Sequence, residues 1–169
     1  MRVITPPQGT PIALAEFKSF VSVERDDLDG EIDDLLTAAV LVVETATRRP
    51  MLSRVVELAV PDGGWRDWWL PVAPVQAVLG ADAGQLLTGF DEPRLRRGAG
   101  LGPSVQARVG YGTKEEIPAS LRRIAMMLAK EWHDFGSALP AEGSAPPMIS
   151  FGVQRLIRQM RYRRPCEVA

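Results

Sequence analysis

The apolar residues of this chain change their spacing twice, and that alternation limits its fold more than any single motif. Across residues 11–48 and again across 118–135 they recur at helical intervals, whereas between 52 and 112 they form short runs cut by Gly and Pro. Neither an uninterrupted helical bundle nor an all-β sandwich is compatible with this order. It specifies an α+β fold: a small helical bundle with an inserted antiparallel β-hairpin region, followed by an extended C-terminal docking segment. Most of the 15 glycines and 14 prolines fall between the apolar segments, as short elements joined by many turns require.

Thr10-Pro11 offers an N-cap side chain and a proline at the first helical position, so a helix is expected over about 11–20, with Leu14, Phe17 and Val21 on one face. Seven carboxylates lie between Glu24 and Asp34. Acidic side chains favour a helix start, where unpaired N–H groups carry positive partial charge, and they predict a second helix over about 27–48. Its later half, Ala38 to Val43, is apolar nearly all round and needs cover from every side, either from the core or from a neighbouring subunit, which makes Val40 and Leu41 subunit-interface candidates.

In the middle segment Val55–Val60, Trp68–Leu70, Val75–Leu79, Gln85–Thr88 and Val105–Val109 read as strands. Pro118 then opens the clearest helix. Leu121, Ile124, Ala125, Leu128, Trp132 and Phe135 share an arc of about 100 degrees. Arg122, Met126 and Met127 fall on the opposite side and are subunit-interface candidates; methionines there mark either a core that extends further round the helix, the favoured reading, or an adaptable partner surface. Domain organisation follows: a unit over 1–135, with helical parts 10–50 and 117–135 and the β-rich insertion 52–112, then a linker over 136–148 and a C-terminal segment over 149–169. In that last segment Val153, Leu156, Ile157 and Met160 recur at i, i+3, i+4 and i+7, opposite Arg155 and Arg158 and ahead of Arg161, Tyr162, Arg163 and Arg164. So short a helix is marginal alone and must dock. Docking on another protein is favoured over packing on its own domain, and truncation after about residue 148 is expected to leave the remainder folded.

Residues that could carry chemistry are few. Gly98-Ala-Gly100-Leu-Gly102 lacks the G-x-G-x-x-G spacing and leads toward a strand, so it reads as a turn and not a phosphate cradle. A single histidine, His133, excludes multi-His metal sites, and a single cysteine, Cys166, excludes an internal disulfide. The acidic run lacks the spacing of a calcium loop. No catalytic residue, metal or cofactor is assigned. Of the adjacent pair Trp68 and Trp69, alternation buries one and exposes the other. The N-terminus lacks a signal-peptide stretch and no apolar run reaches the length that crosses a bilayer, so no membrane role is expected.

The formal net charge of −1 conceals a sequence dipole. Residues 1–92 carry 7 basic and 15 acidic side chains, and residues 93–169 carry 13 and 6. Such asymmetry favours contacts between unlike ends of neighbouring copies. The five arginines of the tail also admit DNA contact, the alternative being a DNA-binding regulatory or packaging-associated protein, although phosphate binding would not require an apolar stripe beside them.

The order of features resembles the head-tail connector, or adaptor, proteins of long-tailed phages and related gene transfer agents. The matching pieces are Thr10-Pro11-Ile12-Ala13-Leu14-Ala15-Glu16-Phe17-Lys18, Asp26-Asp27-Leu28-Asp29 leading to Leu35-Leu36-Thr37-Ala38-Ala39, and Glu44-Thr45-Ala46-Thr47-Arg48-Arg49-Pro50. After the β region come Val105 to Gly112, ending Gly110-Tyr111-Gly112, and Ile117-Pro118-Ala119-Ser120-Leu121-Arg122. The resemblance implies structural work without catalysis: a homo-oligomeric ring, commonly of twelve copies, on the portal protein at the head-tail interface of a virion or phage-like particle assembled in the bacterial cytoplasm. The ring meets a stopper or second connector, and DNA passes non-specifically through its lumen. It further implies that the C-terminal segment engages the portal, which here points to Val153, Arg155, Leu156, Ile157, Arg158, Met160, Arg161, Tyr162, Arg163 and Arg164. Asp26, Asp27, Asp29, Asp33 and Asp34 become candidates for an acidic lumen lining that keeps DNA from sticking.

Overall fold

The computed structural model describes residues 1–80, 82–89, 92–137 and 149–164. The expected linker falls largely outside them, as does Cys166. In chain order the elements are β1 (Arg2–Thr5), α1 (Leu14–Val21), α2 (Asp29–Thr47), β2 (Arg54–Ala59), β3 (Asp67–Trp69), β4 (Val75–Leu79), β5 (Gly84–Gly89), β6 (Glu92–Arg97), β7 (Ser104–Val109), α3 (Ala119–Ser137) and α4 (Phe151–Met160). The α+β class read from the changing period is the observed one. The chain divides into two compact units: a β unit of Met1–Gly9, Arg48–Glu116 and the residues from Tyr162 on, and a helical unit of Thr10–Thr47 and Ile117–Arg161.

In the helical unit, α1 stops where Ser22 takes a left-handed conformation (φ 59°) and its N–H bonds the Lys18 carbonyl. The face of α2 that carries Ile32, Leu36, Ala39 and Val43 is buried, as are Leu121, Ile124, Ala125 and Leu128 of α3. Halves of the chain some 70 residues apart thus close one apolar core. Thr47, buried at the end of α2, satisfies its hydroxyl by donating to the Val43 carbonyl at 2.6 Å.

The β unit holds two antiparallel sheets, of strand order β1-β2-β7-β4 and β3-β6-β5. Alternation is clean in β7: Val105, Ala107 and Val109 are buried, and Ser104, Gln106 and Arg108 are exposed. Residues from both sheets, among them Val56, Leu58, Trp68, Leu70, Leu95 and Ala107, form one core. Trp68 is buried and Trp69 half-exposed, as alternation requires. The glycine-rich segment closes a turn by backbone approach. A Cβ on Gly84 (φ 126°) would overlap the Arg96 carbonyl oxygen, and one on Gly98 the Asp82 carbonyl oxygen.

Candidate functional site

The C-terminal segment is anchored to its own unit more firmly than its sequence indicates. Ser150 caps α4, its Oγ accepting from the Val153 N–H at 3.3 Å, while its own N–H donates to Glu131 Oε2 of α3 at 3.1 Å. At the other end Ser120 Oγ donates to Met160 Sδ at 3.4 Å, so α4 runs antiparallel along α3. Val153 and Ile157 are buried there. Their apolar surface is already used, which corrects the expectation that the whole stripe is free to engage a partner. Truncation after 148 would remove these two residues and uncover the part of the helical core that they close. Leu156 and Met160 remain half-buried, and Arg155, Arg158 and Arg161 are exposed. Phe151, which the helical stripe did not include, is 74% exposed at the start of α4.

Tyr162 is a second correction. Within the β unit it is 3% exposed and its hydroxyl donates to the Leu70 carbonyl at 3.1 Å. Burial pushes its phenol above the ordinary value of 10.0. Its role is to pin the chain, leaving Arg163 and Arg164 exposed beyond it. The side chains of this segment left exposed or half-exposed include the arginines, Phe151, Leu156 and Met160.

The interface candidates divide in the same way. Val40 and Met126 are buried in the helical unit: of the two covers open to each, the core supplies it, extending further round α2 and α3 than one arc, so neither is free to serve as a subunit-interface residue. Leu41 is 60% exposed and Met127 half-buried. Arg122 is half-buried, with Nη1 3.7 Å from Glu16 Oε1.

The acidic candidates are partly neutralised within the helical unit. Lys18 Nζ donates to Asp26 Oδ1 at 2.6 Å and Asp29 Oδ1 at 2.7 Å, contacts that raise its pKa and tie α1 to the start of α2. Asp27 bonds Arg25, which lowers its pKa. Asp33 and Asp34 stay exposed on the first turns of α2.

A basic-aromatic face on β3 and β6 went unread in the sequence. Cross-strand register sets Arg96 beside Asp67 and Arg94 beside Trp69. Arg96 Nε donates to Asp67 Oδ1 at 3.1 Å and holds that carboxyl below its usual range, while the guanidinium groups of Arg94 and Arg97 lie 5.2 Å from the ring centres of Trp69 and Trp65. The alternation Arg94-Leu95-Arg96, with Leu95 buried, is the signal that could have revealed β6.

Chemistry-bearing groups remain scattered. His133 Nδ1 lies 3.7 Å from Asp134 Oδ1, and Asp134 is held low chiefly by Lys130 at 2.7 Å. A cavity of about 660 Å³ in the β unit is lined by Thr5, Gln8, Ser53, Arg54, Gln76 and Arg108 among others, none of them a carboxylate, histidine or cysteine. Among the described residues no cluster of His, Cys, Asp and Glu could hold a metal ion, and no helix is long and apolar enough to cross a membrane.

Each of the two units thus carries exposed arginines and part-exposed aromatic or apolar side chains around a buried core. No protein-family model and no curated protein matches the chain. Solved structures do match, over nearly its whole length. A chain in the virion of a native gene transfer agent particle is 24% identical with a TM-score of 0.73, the match covering 98% of this chain and 97% of that one. A chain in the neck of an empty gene transfer agent particle, computed with C6 symmetry, gives 23% and 0.72 over the same shares. One in the neck of a native particle, computed with C12 symmetry, gives 24% and 0.71, again over 98% and 97%. The chain thus has the fold of a polypeptide found in gene transfer agent particles.

Proposed function

We propose that the protein is a structural head-tail connector of a phage or gene transfer agent particle: an adaptor that forms a ring on the portal vertex and links it to the stopper and tail. The observation that carries this reading is the end-to-end likeness, at nearly equal length, to chains of such particles and of their necks. It agrees with the resemblance drawn from Thr10–Lys18, Glu44–Pro50 and Val105–Arg122. The C12 symmetry of one neck favours twelve copies.

In this reading α4 and the residues after it face the portal. Arg155, Arg158, Arg161, Arg163 and Arg164 meet acidic groups, with Phe151, Leu156 and Met160 as apolar contacts, while Val153, Ile157 and Tyr162 hold the segment in shape. Leu41 and Met127 contribute to contacts between copies. DNA passes through the lumen without sequence readout, and exposed Asp33 and Asp34 repel its phosphates. The test is electron microscopy of the protein mixed with its portal: a coaxial ring is expected on the portal's tail-facing side. Failure to co-sediment with portal or portal-bearing heads at low salt would overturn the reading.

A further inference from the structure

The four-stranded sheet ends in two strands, β1 and β4, that each lack a partner on one side among the described residues. We infer that copies of this chain join through these edges, β1 of one copy adding to β4 of the next. Strand direction permits it. Every pairing in β1-β2-β7-β4 is antiparallel, and an even number of strands leaves the two edges running oppositely, so a neighbour in the same orientation continues the antiparallel alternation.

Register permits it as well. Val3 pairs with Val56, Val56 with Ala107 and Ala107 with Val78, one continuous row across the sheet. The middle of that row faces the core, Val56 and Ala107 being fully buried, whereas Val3 at one end is 46% exposed and Val78 at the other is half-buried. Extending the row into a second copy brings Val3 against Val78 and covers both. The next row, Arg2-Glu57-Gln106-Leu79, places Arg2 toward the turn after β4, which carries exposed Asp82. That is an attractive pairing across the same junction. Both edge strands are irregular at the opposite end, between Val3 and Thr5 and between Val75 and Ala77. The regular stretch is therefore short and leaves the angle between adjoining sheets adjustable. Unlike edges that meet head to tail propagate, and they close a ring when the rotation allows. Closure rests on the ring reading above; the pairing of edges does not.

The experiment uses full-length protein assembled on portal, with Cys166, the only native thiol, replaced by serine. A V3C/V78C protein, oxidised, is expected to give a ladder of covalent oligomers extending toward the ring's copy number. A mixture of V3C and V78C single variants should give covalent dimers only, and neither variant alone should give any. Dimers from V3C alone would mean like edges pair and would overturn the inference. Rings visible by microscopy without a ladder would also overturn it while leaving the adaptor reading intact. A ladder from free protein that binds no portal would uphold the edge pairing and remove the adaptor.

Discussion

Replacing Tyr162 separates holding the tail from binding a partner. In Tyr162→Phe the ring remains and only the donor to the Leu70 carbonyl is lost. A buried acceptor left unpaired costs about 1–2 kcal/mol, which for a chain of this length lowers Tm by roughly 2–8 °C. Tyr162→Ala also removes a buried ring and is expected to cost about 3–5 kcal/mol. Thermal unfolding followed by calorimetry should rank wild type above Phe above Ala. Alkaline pH gives an independent reading of the same bond. The phenol's folded pKa is raised by burial, so its stabilising contribution is complete below the unfolded value of 10.0 and is lost as pH rises through the folded value. The gap between wild type and Tyr162→Phe should therefore narrow above pH 10. An unchanged Tm in Tyr162→Phe, together with a gap that does not respond to pH, would refute the claim that this hydroxyl pins the C-terminal segment.

Four further outcomes are expected. Arg155→Glu with Arg158→Glu should abolish co-sedimentation with portal while costing less than about 1 kcal/mol in stability, because both side chains are exposed and only Arg158 lies in the last turn of α4. Gly84→Ala, which sets a methyl group against the Arg96 carbonyl oxygen at positive φ, should destabilise by about 2 kcal/mol or more in denaturant titration. Asp67→Asn should lower Tm slightly at neutral pH. Since Arg96 depresses the folded pKa of Asp67, the difference from wild type should vanish as pH falls below the unfolded value of 3.8. Leu41→Asp should leave Tm unchanged and weaken self-association, measured by sedimentation velocity.

The elements easiest to read were those whose punctuation and periodicity agree. Pro118 and the arc from Leu121 to Phe135 mark α3, and alternation marks β7. β1 was missed because Arg2-Val3-Ile4-Thr5 is too short for a period to register, and its pairing with β2 lies some 50 residues away. β6 was missed because its strand character depends on partners: Arg94 and Arg96 look like loop residues until Trp69 and Asp67 are set beside them. The docking segment was legible as an amphipathic helix but not as to what covers it. Periodicity identifies the face that Val153 and Ile157 share, yet it cannot say whether the surface meeting that face is α3 of the same chain or another protein. Met126 left the same choice open, and its burial shows a helix packed on more than one side, which covers residues outside its main arc.

The route of the chain between its two units sets an order in time. The β unit takes in Met1–Gly9 first and Tyr162 last, and the helical unit is begun by Thr10–Thr47 but completed only by residues after Ile117. During synthesis, at roughly 5–20 residues per second, the core that runs from Val56 to Val109 has emerged before α3 and α4 are there to close the helical core. Until then the apolar face of α2 stays uncovered in the nascent chain, so the helical unit is the one open to mispairing during synthesis.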